Sequence, residues 1–112
     1  MQPFHFIAGL PRAGSTLLSA LLRQNPAVRA HSTSPVNPLV GALLKEMSQH
    51  NETSLFIDDA QRARLVRGVF EGYYAGLPTG TTVFDTNRGW TGRLDLLARL
   101  FPECRVICCV RH

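Results

Sequence analysis

No apolar run in this chain is long enough to span a bilayer. At the amino terminus no basic segment leads a long apolar stretch: Met1-Gln2-Pro3 passes directly into the run Phe4 to Ala8. That pattern predicts a cytoplasmic protein without a membrane span. Cysteine is scarce. Cys104, Cys108 and Cys109 lack the spacing of zinc ligands, and an odd count with two adjacent members argues against a disulfide scaffold, so they read as thiols buried in a strand. There is no internal repeat, no disordered tract and no carboxylate cluster that would demand a metal, so none is expected. The arginines are dispersed and the aromatics are not interleaved with them, which speaks against a nucleic-acid partner. What remains is a chain of 112 residues, 45% hydrophobic, with a formal charge of +4. A chain of this size suits one small soluble domain burying about two thirds of its unfolded surface, and its charge favours an anionic ligand.

The stretch that organises the chain is Gly9-Leu10-Pro11-Arg12-Ala13-Gly14-Ser15-Thr16, between the apolar run Phe4 to Ala8 and the leucine-rich stretch Leu17 to Leu22. It reads as a turn from strand to helix that cradles an anion. The first turn of a helix has free backbone NH groups and the positive end of the dipole, so a phosphate or sulfate is held there without dedicated side chains. Gly9 and Gly14 let the backbone approach closely, Pro11 stiffens the turn, Arg12 adds a forked cation, and Ser15 and Thr16 add hydroxyls. The general phosphate loop has lysine after its second glycine; here that slot holds Ser15. The cation lies inside the loop instead, at Arg12.

Along the chain, Leu17, Leu18, Leu21 and Leu22 recur at helical spacing, and Asn25-Pro26 stops that helix near Gln24. Val28 to Ala30 is a short segment. Ser32, Thr33 and Ser34 offer hydroxyl caps before Pro35, predicting a second helix through Leu39, Val40, Leu43, Leu44 and Met47. Residues 48–56 are polar and irregular and read as a surface loop. Asp58 and Asp59 open a long helix with Leu65, Val66, Val69, Phe70, Tyr73, Tyr74 and Leu77 on its apolar face and Arg62, Arg64, Arg67 and Glu71 on its solvated face. Pro78-Thr79-Gly80 breaks it. Thr81 to Phe84 then reads as a strand delivering residues 85–90 to the loop at its carboxyl end, where ligand sites of parallel sheets collect. Leu94, Leu97, Leu100 and Phe101 form a last helix closed by Pro102, and Val106 to Val110 reads as a strand buried on both faces, ending in Arg111-His112. Strands alternating with helices predict an α/β fold with a parallel sheet.

Three separated segments resemble the sulfotransferase family, in order. They are the loop at residues 9–16, which is similar to the Pro-Arg-x-Gly-[Ser/Thr]-Thr-Leu form of tyrosylprotein and related bacterial sulfotransferases; the middle strand with its polar loop at 85–90; and the ending Leu-Phe-Pro-x-x-x-Val-Ile-x-x-Val-Arg at 100–111. The resemblance implies a P-loop-like parallel sheet flanked by helices, with residues 1–112 as the amino-terminal part of a single sulfotransferase-like domain, incomplete at its carboxyl end. It implies 3′-phosphoadenosine 5′-phosphosulfate, PAPS, as sulfuryl donor. Arg12, Ala13, Gly14, Ser15 and Thr16 would then bind the phosphosulfate and Arg111 the 3′-phosphate. An arginine ending a buried strand is costly unless it meets an anion, which agrees with that role.

Sulfuryl transfer needs charge stabilisation on the leaving group and deprotonation of the acceptor, and it needs no metal. Arg12 and the loop amides suit the first. Tyrosylprotein sulfotransferases carry a catalytic glutamate beyond the first helix, but Ala30-His31-Ser32-Thr33-Ser34 has no acid. Cytosolic sulfotransferases use a histidine after the middle strand, where this chain has Asp85-Thr86-Asn87-Arg88. Asp85 is therefore the first candidate base and His31 the second, with Arg88 as a second cation and Trp90 as a packing residue or pocket wall. The acceptor, a hydroxyl or an amine, is not legible. Two other readings fit parts of the chain: a non-catalytic nucleotide-binding remnant, and a small-molecule kinase in which Asp85 binds magnesium.

Overall fold

All strand pairs run parallel in the computed structural model, which describes residues 3–9, 15–31, 33–48 and 52–109. The strands are β1 (Phe4–Gly9), β2 (Val28–Ala30), β3 (Thr82–Thr86) and β4 (Val106–Cys109). The helices are α1 (Ser15–Leu22), α2 (Val36–Glu46), α3 (Asp59–Tyr73) and α4 (Leu94–Leu100), with 3-10 segments at Glu52–Phe56 and Arg88–Arg93. The fold is α/β, a parallel sheet accompanied by helices, as the alternation requires. Leu10, Pro11, Arg12, Ala13, Gly14, Ser32, Val110, Arg111 and His112 lie outside the described residues. The chain forms two compact units, residues 1–34 with 77–112, and residues 35–76.

The first unit holds the sheet, in the order β2-β3-β1-β4. β1 is flanked on both sides, and its apolar run is accordingly buried at Phe4, Phe6, Ile7 and Ala8. Around Phe6 the aromatic rings interlock: Trp90 meets it edge-on at 5.3 Å and Phe101 at 5.7 Å, while Phe4 meets Phe101 at 5.3 Å. Leu97 and Leu100 of α4 complete this core. β3 extends beyond the predicted strand to include Asp85 and Thr86, which register against Phe6 and Ile7. Val28 to Ala30, short as it is, forms β2 by pairing with β3. α1 ends at Leu22, before Asn25, whose Oδ1 accepts from the Ala27 amide at 2.9 Å.

Two expectations for this unit are corrected. β4 was expected to be buried on both faces. Among the described residues it pairs with β1 alone, so it lies at an edge; Cys108 is exposed and Val106, Ile107 and Cys109 are half-buried. The thiols are thus not uniformly interior: Cys104, before the strand, is half-buried, and burial pushes its pKa up. In α1 Leu17 is 65% and Leu21 54% exposed, Leu18 and Leu22 are half-buried, and Ser19 is fully buried. Ser19 faces inward because its hydroxyl is hydrogen-bonded to Thr86 of β3, the two oxygens lying 3.3 Å apart.

In the second unit α2 and α3 pack together, burying Val36 and Val40 from one and Val66 and Phe70 from the other. Pro38 is third in α2, where a missing NH breaks no helical bond. α3 opens with a capping box: Asp58 Oδ1 accepts from the Gln61 amide at 2.7 Å, and Gln61 Oε1 accepts from the Asp58 amide at 2.8 Å. α2 departs from expectation. Pro35 occupies its cap position with no side-chain hydrogen bond. The Ser34 hydroxyl expected to cap it is donated elsewhere, as described below. Residues 52–56 form a 3-10 turn with Leu55 and Phe56 exposed where an irregular loop was predicted.

Gly9 ends β1 with φ at +142°, and a Cβ there would overlap the carbonyl oxygen of Cys109 and sit 2.8 Å from its nitrogen. Glycine is required at this position by the approach of β1 to β4. Gly9→Ala is expected to lower stability by about 1–3 kcal/mol or more in urea unfolding, because strained backbone and clash act together; an unchanged midpoint would refute this packing.

His5 joins the strands differently: its Nδ1 accepts from the Arg105 amide at 3.0 Å and its ring meets Phe84 at 5.2 Å. Burial, and then the Arg105 charge, lower its pKa below the ordinary 6.5. A protonated Nδ1 would oppose the Arg105 donor. Stability from His5 is therefore fully present above the unfolded pKa and lost as pH falls through the lower folded value. Urea midpoints at pH 7 and pH 5 should diverge less in His5→Phe than in the wild type.

Candidate active site

The carboxyl edge of the parallel sheet collects the end of β1 at Gly9, the end of β3 at Thr86 and the end of β2 at Ala30. Ser15 and Thr16 begin α1 after the loop, so the helix opens directly behind residues 10–14. Arg12, Ala13, Gly14 and Arg111 fall outside the described residues.

Asp85 is fully buried. Its neighbour two residues back, Val83, shares that side of β3 and is also fully buried, so strand alternation carries a carboxylate inward. A buried charge of this kind persists only with donors around it. Trp90 Nε1 donates to Oδ1 at 2.8 Å, and Ser34 Oγ donates to Oδ2 at 2.6 Å. The first candidate base thus lies beneath the surface with both oxygens accepting.

The residues around Asp85 extend this network. The Ser34 amide donates to the Thr86 carbonyl at 3.2 Å, and the Asn87 amide donates to the Ile7 carbonyl at 3.0 Å. Asn87 Oδ1 accepts from the Gly89 amide at 2.7 Å, starting the 3-10 turn that brings Trp90 back over Asp85, and Asn87 Nδ2 makes a long 3.5 Å contact to the Ser34 carbonyl. Ser19 and Thr86 add the bond from α1. Residues 85–87 therefore bind β1, α1 and the 33–34 segment.

Arg88 follows directly and is exposed, without an ion pair among the described residues. His31 is half-buried just past β2. Burial, then the Arg29 and Arg23 charges, lower its pKa below the ordinary 6.5 and so favour the neutral imidazole. The structure brings Asp85, Trp90 and Ser34 together, and carries His31 on the same segment as Ser34.

Sequence reasoning missed Ser34, Ser19 and Thr86. One signal was present: an aspartate two residues after a valine in an apolar strand faces inward and must find donors. Among the described residues no three His, Cys, Asp or Glu side chains stand together as a metal site, and no helix is long and apolar enough to cross a membrane.

A family model described as the sulfotransferase family matches residues 3–112. The chain belongs to the sulfotransferase family. This sulfotransferase-family chain is also 34% identical, over 59 residues, to human protein-tyrosine sulfotransferase 1 and to chicken protein-tyrosine sulfotransferase 2. The zebrafish protein-tyrosine sulfotransferase 1 matches at the same identity over the same length. Each match covers 53% of this chain and only 16–17% of the relative.

The Trp90–Asp85 bond is measurable. Trp90→Phe keeps a ring against Phe6 but removes the indole donor. It is expected to destabilise by about 1.5–3 kcal/mol in urea unfolding, the range for a hydrogen bond to a charged group. A loss below ~0.5 kcal/mol would mean that Asp85 does not depend on that donor.

Proposed function

We propose that this chain carries the donor side of a sulfotransferase that moves a sulfuryl group from PAPS to an acceptor hydroxyl or amine by in-line displacement. The observation that carries the reading is family membership across residues 3–112, and the arginine-bearing segment 10–14 lies in sequence between β1 and α1. The donor chemistry fits the described residues near the carboxyl ends of the strands: the opening end of α1, exposed Arg88 after β3 and a net charge of +4 all suit a polyanion. PAPS supplies the sulfuryl group and a good leaving phosphate.

Arg12 and the amides of residues 13–16 would hold the phosphosulfate and stabilise charge developing on its bridging and equatorial oxygens. Arg88 would add a second cation, and Arg111 would bind the 3′-phosphate. The loop would orient the sulfur so that the acceptor approaches opposite the bridging oxygen. Of the two candidate bases, His31 is the better suited. Its ring is partly open to solvent and its pKa is lowered by burial and neighbouring arginines, whereas Asp85 is enclosed with both oxygens accepting. The names of the relatives make the phenolic hydroxyl of a protein tyrosine the first acceptor to try.

Calorimetric titration with adenosine 3′,5′-bisphosphate, beside ATP with magnesium, tests the reading. The bisphosphate is expected to bind more tightly, and Arg12→Ala to weaken it roughly tenfold or more, as loss of a charge-assisted bond of about 1.5–3 kcal/mol requires. Unchanged affinity in a folded Arg12→Ala protein would refute the role of the loop. Preference for ATP would favour a kinase, and binding without transfer a nucleotide-binding remnant.

A further inference from the structure

We propose that Asp85 is a positioning residue for the transfer reaction: its buried carboxylate holds Ser34, and through Ser34 it fixes the segment carrying His31 beside the strand that leads into the anion loop. The inference rests on the sulfotransferase reading above and adds a role to it.

The geometry points there in three steps. Asp85 is fully buried and both its oxygens accept hydrogen bonds, so an acceptor substrate has no route to it that leaves Trp90 and Ser34 in place. A carboxylate inside a sheet is expensive, and an apolar residue would fill the same volume at lower cost. What the carboxylate provides and an apolar residue does not is a directional bond to a segment distant in sequence: Ser34 is 51 residues away from Asp85.

The second step is where that segment is held. Ser34 is fastened twice to the end of β3, by its hydroxyl to Asp85 and by its amide to the Thr86 carbonyl. The same short stretch is fastened to the loop's two flanks, through Asn87 to the Ile7 carbonyl of β1 and through Thr86 to Ser19 of α1. The third step is register. Ala30 and His5 both pair with Phe84, so β1 runs four residues beyond the level at which β2 ends, and the end of β3 lies between the two. Asp85 ties the residues that follow β2 to that strand end.

The test uses the whole protein, radiolabelled PAPS, 2-naphthol as probe acceptor and calorimetry with adenosine 3′,5′-bisphosphate. Asp85→Asn keeps an acceptor oxygen for Trp90, and its amide can donate to the Ser34 hydroxyl. Its transfer rate is expected within roughly tenfold of the wild type, with an unchanged pH–rate profile. Ser34→Ala should lower kcat by roughly ten- to a hundredfold while bisphosphate affinity and the KM for PAPS hold, and Ser34→Thr should restore most of the rate. A loss above roughly a thousandfold in Asp85→Asn, with a limb of the pH profile gone, would make Asp85 the base and overturn the proposal. So would wild-type kcat in Ser34→Ala.

A protein that binds the bisphosphate but does not use 2-naphthol is tested through Trp90, its single tryptophan. The bisphosphate should shift Trp90 emission in the wild type and shift it less in Ser34→Ala; the same response in both, or none in either, overturns the proposal. Absence of bisphosphate binding by the wild type would instead overturn the donor reading, and this inference with it.

Discussion

A carboxylate turned into a protein core has to be met by hydrogen-bond donors, and the donors that meet Asp85 come from places far apart in the chain. Ser34 arrives from beyond β2, and Trp90 arrives by a 3-10 turn that Asn87 starts with its own side chain. Because both bonds are short and enclosed, neither donor can drift without stranding charge in a low-dielectric interior. The Trp90 ring held in this way is also the ring that packs edge-on against Phe6, at the centre of the aromatic core. One polar constraint at the end of β3 thus organises both the apolar packing beneath the sheet and the segments gathered at its carboxyl edge.

The sheet itself places that constraint. Parallel pairing registers Phe6 with Asp85 and Ile7 with Thr86, so the end of β3 lies level with the last residues of β1 before the loop. Gly9 then lets β1 approach β4 more closely than any side chain permits. The loop consequently leaves a backbone that is held on both sides, by β3 through Asn87 and by β4 through Gly9. A departure point held in this way suits the anion-binding role proposed for residues 10–14, since preorganised donors need no rearrangement when charge develops.

Much of the architecture was legible from local pattern. The apolar run of β1, the leucine spacing of α2 and α4, the acids opening α3 and the glycine and proline breaks between elements all report short-range preferences, and each element formed close to its expected span. The pattern misled where burial depends on neighbours. β4 has the composition of a strand covered on both faces, yet among the described residues it lies at an edge with Cys108 exposed. The leucines of α1 have helical spacing, yet a serine takes the inward position. Asp85 was noticed for its chemistry and assigned to a loop, because its strand was read as ending at Phe84.

The sequence by itself determined the alternation of the main strands and helices, the glycine-bounded stretch between β1 and α1, the acids that open α3 and the resemblance that led to the sulfotransferase family. These depend on residues within a few positions of one another, where spacing and residue type act directly. Only the tertiary structure decided that Asp85 faces inward to Ser34 and Trp90, that Ser34 serves this carboxylate and not the helix after it, and that Gly9 must be glycine because Cys109 lies against it. Each of those facts joins residues brought together by parallel strand pairing, and the register of that pairing is written in no single stretch of the chain.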